Sequence, residues 1–229
     1  MKKSEIKKDR INEIKRVWGD LAFKGKKLAP HDLEILPLIV SIAKQADKIL
    51  DVGAGDGRWI DVLKREGIKA EFYAVDITDK VKEADANSII GDARMLPFKD
   101  ESFDFVYSIG VIEHFPESLI AVREHARVTK KGGYVFMVVP HLSPATIRRY
   151  IKWILKERKK GSFETVVGRN MRVKELKELC ENAQLKIIDL GCYGYVYMPI
   201  LNLSKTFREK VKKIFGRWMG DFIYVLAKK

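Results

Sequence analysis

Cysteine is scarce in this chain. Cys180 and Cys192 are the only two, too few for a disulfide framework and without metal-ligand spacing. The expectation is a reducing compartment, the cytoplasm. Asn and Gln together number seven in 229 residues while 33% of the chain is charged, a composition resembling that of thermophilic proteins. Long apolar runs are missing too. The longest stretches free of Asp, Glu, Lys and Arg are residues 132–147 and 190–204, 16 and 15 residues, each containing proline. A membrane span needs about 20 apolar residues. Lys2 and Lys3 lead into further charge, not into the apolar segment of a signal peptide. Repeats and low-complexity tracts are absent. What is present is 46% hydrophobic and 10% aromatic residues, enough for a substantial core in one large domain, residues 1–229.

The net charge of +13 is unevenly spread. Residues 1–48 hold 12 Lys/Arg against 7 Asp/Glu, residues 49–140 hold 12 against 16, and residues 141–229 hold 20 against 8. A mildly acidic middle is flanked by basic ends, which bears on partners and not on fold.

Hydrophobic periodicity predicts amphipathic helices over 4–18 and 31–43, with Pro37 counting against the continuity of the second. From residue 48 to 140 strand and helix signals alternate. Strands are expected at 48–52, 70–75, 88–90, 103–108 and 134–139, helices at 59–65 and 117–128, and a turn at 131–133. Such alternation implies an α/β fold, a mostly parallel doubly wound sheet covered on both faces. After Pro140 the rhythm changes. Basic helices are expected at 145–160 and 204–218, a helix at 173–183, and strands at 185–198 and 222–227. This divides the domain into an N-terminal helical lid (1–47), a ligand-binding core (48–140) and substrate-side inserts with the last strands (141–229).

Residues 49–59, ILDVGAGDGRW, read as a strand, a glycine turn and the start of a helix. Glycines let backbone approach a ligand closely, and a helix start offers free N–H groups. A dinucleotide fingerprint, G-x-G-x-x-G, would need glycine at position 58, where this chain has arginine. The spacing G-x-G-x-G favours a different nucleoside ligand. Asp76 ends the second strand at a spacing suited to a ribose diol, whose two hydroxyls one carboxylate can accept. Asp92, after the third strand, is placed to accept from an adenine amino group. Ser108-Ile109-Gly110 ends the fourth strand, and Glu113-His114-Phe115 follows it.

The run from Ile49 to Pro140 resembles the class I S-adenosylmethionine-dependent methyltransferases, and most closely their small-molecule branch of ubiquinone and menaquinone biosynthesis enzymes. The matching pieces are ILDVGAGDGRW, the acid of AVDIT, GDARMLPFKDESFDFVYSIGVIEHF and REHARVTKKGGYVFMVVP. The resemblance implies a Rossmann-like seven-stranded sheet with the last strand antiparallel and a helical cap. It implies S-adenosyl-L-methionine as cofactor, with Asp51, Gly53, Ala54 and Gly55 around its methionine part. Asp76 and Ile77 would hold ribose and adenine, Asp92 and Ala93 the adenine, and Ser108 and Ile109 the floor.

Methyl transfer from a sulfonium is an in-line displacement, and a base is needed only where the acceptor must lose a proton. His114 is the candidate, with His141 behind it; packing beside the cofactor is the competing role for His114. Tyr193, Tyr195 and Tyr197 alternate along one strand face and are candidates for an aromatic wall over the acceptor, with sheet packing an equally good role. Trp18 is a candidate for part of a lid, with core packing the competing and favoured role. The basic flanks leave three acceptor classes. A small molecule comes first, RNA gripped through its phosphates second, and a lipid-like acceptor reached from a membrane surface third. A non-catalytic cofactor-binding partner protein is the alternative to an enzyme.

Overall fold

The computed structural model describes residues 28–142, 168–194 and 220–229. The expected helices over 4–18, 145–160 and 204–218 lie outside the described residues, as do Trp18, Tyr195 and Tyr197. In chain order the elements are α1 (Leu36–Ala43), β1 (Lys48–Val52), α2 (Arg58–Arg65), β2 (Glu71–Asp76), β3 (Asn87–Ile90), β4 (Phe103–Ile109), α3 (Ser118–Val128), β5 (Thr129–Pro140), α4 (Val173–Asn182), β6 (Lys186–Tyr193) and β7 (Phe222–Lys228). The strands form one seven-stranded sheet in the order β3-β2-β1-β4-β5-β7-β6. The pairs among β1 to β5 are parallel, and β7 is antiparallel to both β5 and β6.

The central strands β1 and β4 are apolar at most positions because each is covered on two faces. Successive residues therefore divide between two cores. Leu50 and Val106 point toward α3 and α4 and join Val122, Leu176 and Cys180. Ile49 and Phe105 point the other way, toward α1 and α2, and join Ile39, Ile60 and Leu63. Leu50, Ile60 and Phe105 are fully buried, each contributing about 1.5–3 kcal/mol by leaving water. No helix among the described residues is long and apolar enough to cross a membrane.

Two expectations need correction. The helix expected over 31–43 is a 3-10 turn (Asp32–Glu34) followed by α1, and Pro37 falls in the first turn of α1. There its missing N–H removes no helical hydrogen bond. The turn expected at 131–133 does not precede the fifth strand but is a bulge within it. Thr129 pairs with Phe103 and Tyr134 with Phe105. The intervening residues loop out through Gly132 at φ +80°, and Lys130 Nζ binds Asp104 Oδ1 at 2.6 Å.

Candidate active site

β1 lies between β2 and β4, so the chain reverses its direction of travel across the sheet here. A crevice opens at the carboxyl ends of strands at such a point. The glycine turn after β1 enters it. Gly53 and Ala54 donate their N–H groups to the Val75 carbonyl at 2.7 and 3.2 Å, tying the turn to β2. Gly53 and Gly57 are packing glycines with φ +76° and +78°: a Cβ would run into Val111 at the first and Ala84 at the second. Gly55 differs. Its φ is +55° and nothing lies within 4 Å of where its Cβ would stand. This is a bare stretch of backbone open to a ligand.

Asp76 closes one side. Its Oδ2 accepts the Gly55 N–H at 2.9 Å, and its Oδ1 accepts the Thr78 N–H and hydroxyl, both at 2.8 Å. A carboxylate has about four acceptor positions, so the one left on Oδ2 is half of what a ribose diol asks. Ile77 beside it is half-buried. Asp51 sits under the turn, 4% exposed, and accepts the Tyr107 hydroxyl at 2.9 Å. Burial pushes its carboxyl up to about 8, opposed by the Tyr107 bond and reinforced by the charges of Asp76 and Asp56.

Asp92, expected at an adenine amino group, is gripped by Arg94. The guanidinium donates to both carboxylate oxygens, the shortest bond being 2.7 Å from Nη2 to Oδ2. The same guanidinium lies over the Phe115 ring, 4.7 Å from its centroid. Ala93 is buried and Ile109 half-buried. Ser108 is 1% exposed, and its hydroxyl has no hydrogen-bond partner among the described residues.

Beyond β4, Glu113 and His114 stand side by side. Glu113 is 4% exposed and its Oε2 has no hydrogen-bond partner among the described residues. Its Oε1 is 3.8 Å from His114 Nε2, too long for a hydrogen bond. Burial pushes the Glu113 carboxyl up to about 8. Gly168 sits on both residues: a Cβ there would collide with Glu113 Cγ and fall 2.9 Å from His114 Cε1. Glu113 and His114 are therefore both packed against Gly168. His141 is tied down, its Nδ1 lying 2.9 Å from the Gly220 carbonyl and its backbone N–H bound to the Asp221 carbonyl at 2.8 Å.

At the same edge of the sheet, past β6 and β7, Phe222, His31 and Tyr193 form a cluster of rings. Phe222 lies 4.7 Å from His31 and 5.4 Å from Tyr193, and His31 lies 6.5 Å from Tyr193, centroid to centroid. Of the three tyrosines expected as an aromatic wall, Tyr193 is described; it is 5% exposed and packs in the core on the α1 and α2 side of the sheet. Sequence reasoning missed Phe222 and His31 as its partners: the β6–β7 register brings Phe222 to Tyr193, and His31 reaches both from the segment before α1. It also gave Glu113 no role. The available signal was an acid placed inside the apolar run Val111-Ile112-Glu113-His114-Phe115.

Residues 50–137 match the family model of a methyltransferase domain. The chain carries a class I S-adenosylmethionine-dependent methyltransferase domain. The domain resembles the probable tRNA methyltransferase 9B of Homo sapiens, 31% identical over 99 residues, 42% of this chain and 22% of that one. The chain thus spans about a fifth of that relative's length. It also resembles the ubiquinone biosynthesis O-methyltransferase of Paracidovorax citrulli, 26% identical over 216 residues, 83% of this chain and 84% of that one. In fold the methyltransferase domain is similar to a SAM-dependent methyltransferase from Archaeoglobus fulgidus, with a TM-score of 0.60 at 19% identity over 86% of this chain and 92% of that one. S-adenosylmethionine is the cofactor of this family, and the crevice fits it. The open backbone at Gly55, the remaining acceptor position on Asp76 and the unpartnered Ser108 hydroxyl are the polar groups that a nucleoside with an amino-acid tail would engage.

Proposed function

We propose that the protein transfers the methyl group of S-adenosylmethionine to a small-molecule acceptor. The observation that carries this reading is the character of the crevice rim. Among the described residues around the glycine turn and the β4 end, the side chains are acids and aromatic rings: Asp32, Asp76, Phe222 and Tyr193, with Glu113 buried behind them. Arg58 is paired with Asp56 at 3.5 Å and Arg94 with Asp92 at 2.7 Å. Arg169, which faces Glu113, is engaged by Glu175 and Ser118. A rim of acids and rings, its arginines already engaged, suits an uncharged or cationic ring-bearing acceptor better than a phosphate backbone. The extent of the likenesses supports the same choice. The ubiquinone-type enzyme is matched along 84% of its length, the tRNA-type protein along 22%.

When bound, S-adenosylmethionine supplies a methyl group activated by a positive sulfur. The chain's residues would hold it as follows. Asp51 supports the turn of Gly53, Ala54 and Gly55 beside the methionine part. Asp76 takes a ribose hydroxyl, with Ile77 against the adenine. Asp92 and Ala93 border the adenine edge, Asp92 sharing its carboxylate with Arg94, and Ser108 and Ile109 form the floor. His114, packed beside Glu113 against Gly168, would take a proton where the acceptor must lose one. Calorimetry with S-adenosylmethionine and S-adenosylhomocysteine, on wild type and Asp76→Ala, tests the cofactor half. Radiolabelled methyl transfer to fractionated small molecules, with bulk tRNA in parallel, tests the acceptor half. Label entering tRNA alone would overturn the small-molecule reading.

A further inference from the structure

Resting on the cofactor reading above, we infer that Glu113 is the group with which the site tells the positively charged methyl donor from its uncharged demethylated product. Its carboxyl is 4% exposed, and Oε2 has no hydrogen-bond partner among the described residues. A buried carboxyl without a partner is costly and is normally paired or bonded. Here the groups that face it compensate it only in part: its own backbone N–H and the charge of Arg169 oppose the rise, and burial outweighs them. On its own turn, His114 Nε2 stands 3.8 Å from Oε1. From the segment leading into α4, Arg169 acts on it by charge, but the Arg169 guanidinium binds Glu175 and the Ser118 hydroxyl. From the end of β6 comes Tyr193, whose phenol is electrically opposed by Glu113 and Asp32.

The carboxyl belongs to the crevice. Oε1 lies 3.5 Å from where a Gly110 Cβ would stand, directly past β4. The next residue, Val111, is the one that packs on Gly53 of the glycine turn. A cation arriving here meets a carboxyl that is largely protonated at neutral pH, because burial holds it near 8. Binding a positive sulfur favours the ionised form, so a proton leaves as the donor binds. After methyl transfer the sulfur is neutral, the carboxyl recovers its proton, and the product loses the interaction that held its precursor.

The test is proton linkage. Titration calorimetry in buffers of different ionisation enthalpy counts protons released per ligand bound, just below pH 8, for wild type and Glu113→Gln. The amide has the shape of the neutral acid and cannot ionise. The expected result is a proton release with S-adenosylmethionine that exceeds the variant's, with no such difference for S-adenosylhomocysteine. Donor affinity should also rise with pH up to the carboxyl's own value, by at most about tenfold per unit, in wild type alone. Equal release by wild type and variant, or the same difference with both ligands, would overturn the inference. Failure of folded wild type to bind either ligand would instead remove the cofactor reading itself. If Glu113→Gln does not fold, infrared spectra of wild type labelled with 13C-glutamate decide. The protonated-carboxyl band must vanish with the donor and persist with the product; loss with both or with neither overturns the inference.

Discussion

The Tyr107 hydroxyl donates to the Asp51 carboxylate at 2.9 Å beneath the glycine turn, and both side chains are shut off from solvent. The bond joins β1 to β4 at a register where Asp51 and Tyr107 are direct partners. Burial of Asp51, which this bond opposes, makes the floor of the crevice sensitive to pH.

Asp51 and Glu113 both have folded-state values near 8, far above those of an unfolded chain at about 4. The folded protein therefore binds more protons than the unfolded one between these values. Their contribution to stability is fully present below about 4 and is lost as pH rises through 8, with a slope of at most about 1.4 kcal/mol per pH unit for each group. Urea unfolding across this range should show a falling midpoint, and Asp51→Asn should flatten the fall. Tyr107→Phe removes the bond that opposes the shift. It should extend the fall above pH 8 and destabilise by about 1–3 kcal/mol.

Gly55 and Gly57 should part company on substitution. Alanine at Gly57 meets strained φ and lands 2.8 Å from Ala84 Cα, so a loss of about 2–4 kcal/mol is expected from strain and overpacking together. Alanine at Gly55 meets open space and should cost only the backbone strain, about 1–2 kcal/mol. Its methyl occupies the cradle, however, and cofactor affinity should fall at least tenfold by calorimetry. Thermal unfolding and calorimetry on the two variants would reverse the order of severity.

Asp76→Ala removes the acceptor of the Gly55 N–H and of both Thr78 donors. Binding of S-adenosylhomocysteine should weaken by more than a factor of ten while the circular dichroism spectrum stays native. Asp76→Asn retains one acceptor oxygen and should fall between wild type and alanine.

Arg127 clamps the loop between β3 and β4. It donates to the Phe98 and Leu96 carbonyls at 2.8 and 3.0 Å, and its partner Glu124 accepts the Leu96 N–H at 2.8 Å. Arg127→Lys keeps the charge but not the fork, so at least one carbonyl loses its donor. Amide exchange over residues 95–101 should accelerate, with a loss of about 1–2 kcal/mol, while exchange at Ile49 and Leu50 stays slow.

The sheet and the cofactor half of the site were legible because each rests on local chemistry. A buried parallel strand must be apolar throughout, as Leu50 and Val106 are, and a ligand-facing turn must use glycine, as Gly55 does. Asp76 could be read from its place at a strand end. What could not be read depended on distant pairing. Phe222 reaches Tyr193 only because β7 inserts beside β6, and Asp92 meets Arg94 through a side-chain fork that no spacing rule specifies. Pro37 misled because proline counts against a helix interior and not against its first turn. The bulge at Gly132 was misplaced because a glycine pair marks a turn without telling whether the strand resumes after it.

The place of β7 in the sheet bears on how the protein is made. Of the seven strands it leaves the ribosome last, yet it sits sixth in space, between β5 and β6. Until Phe222–Lys228 emerges, β5 offers an open hydrogen-bonding edge and β6 has no neighbour to join. The half of the sheet from β3 to β5 can assemble while synthesis continues, but the half that shelters Tyr193 waits for the seventh strand. A stalled or clipped nascent chain would expose Val135, Met137 and Val139 along a bare edge, the kind of surface that recruits chaperones or other unfinished chains.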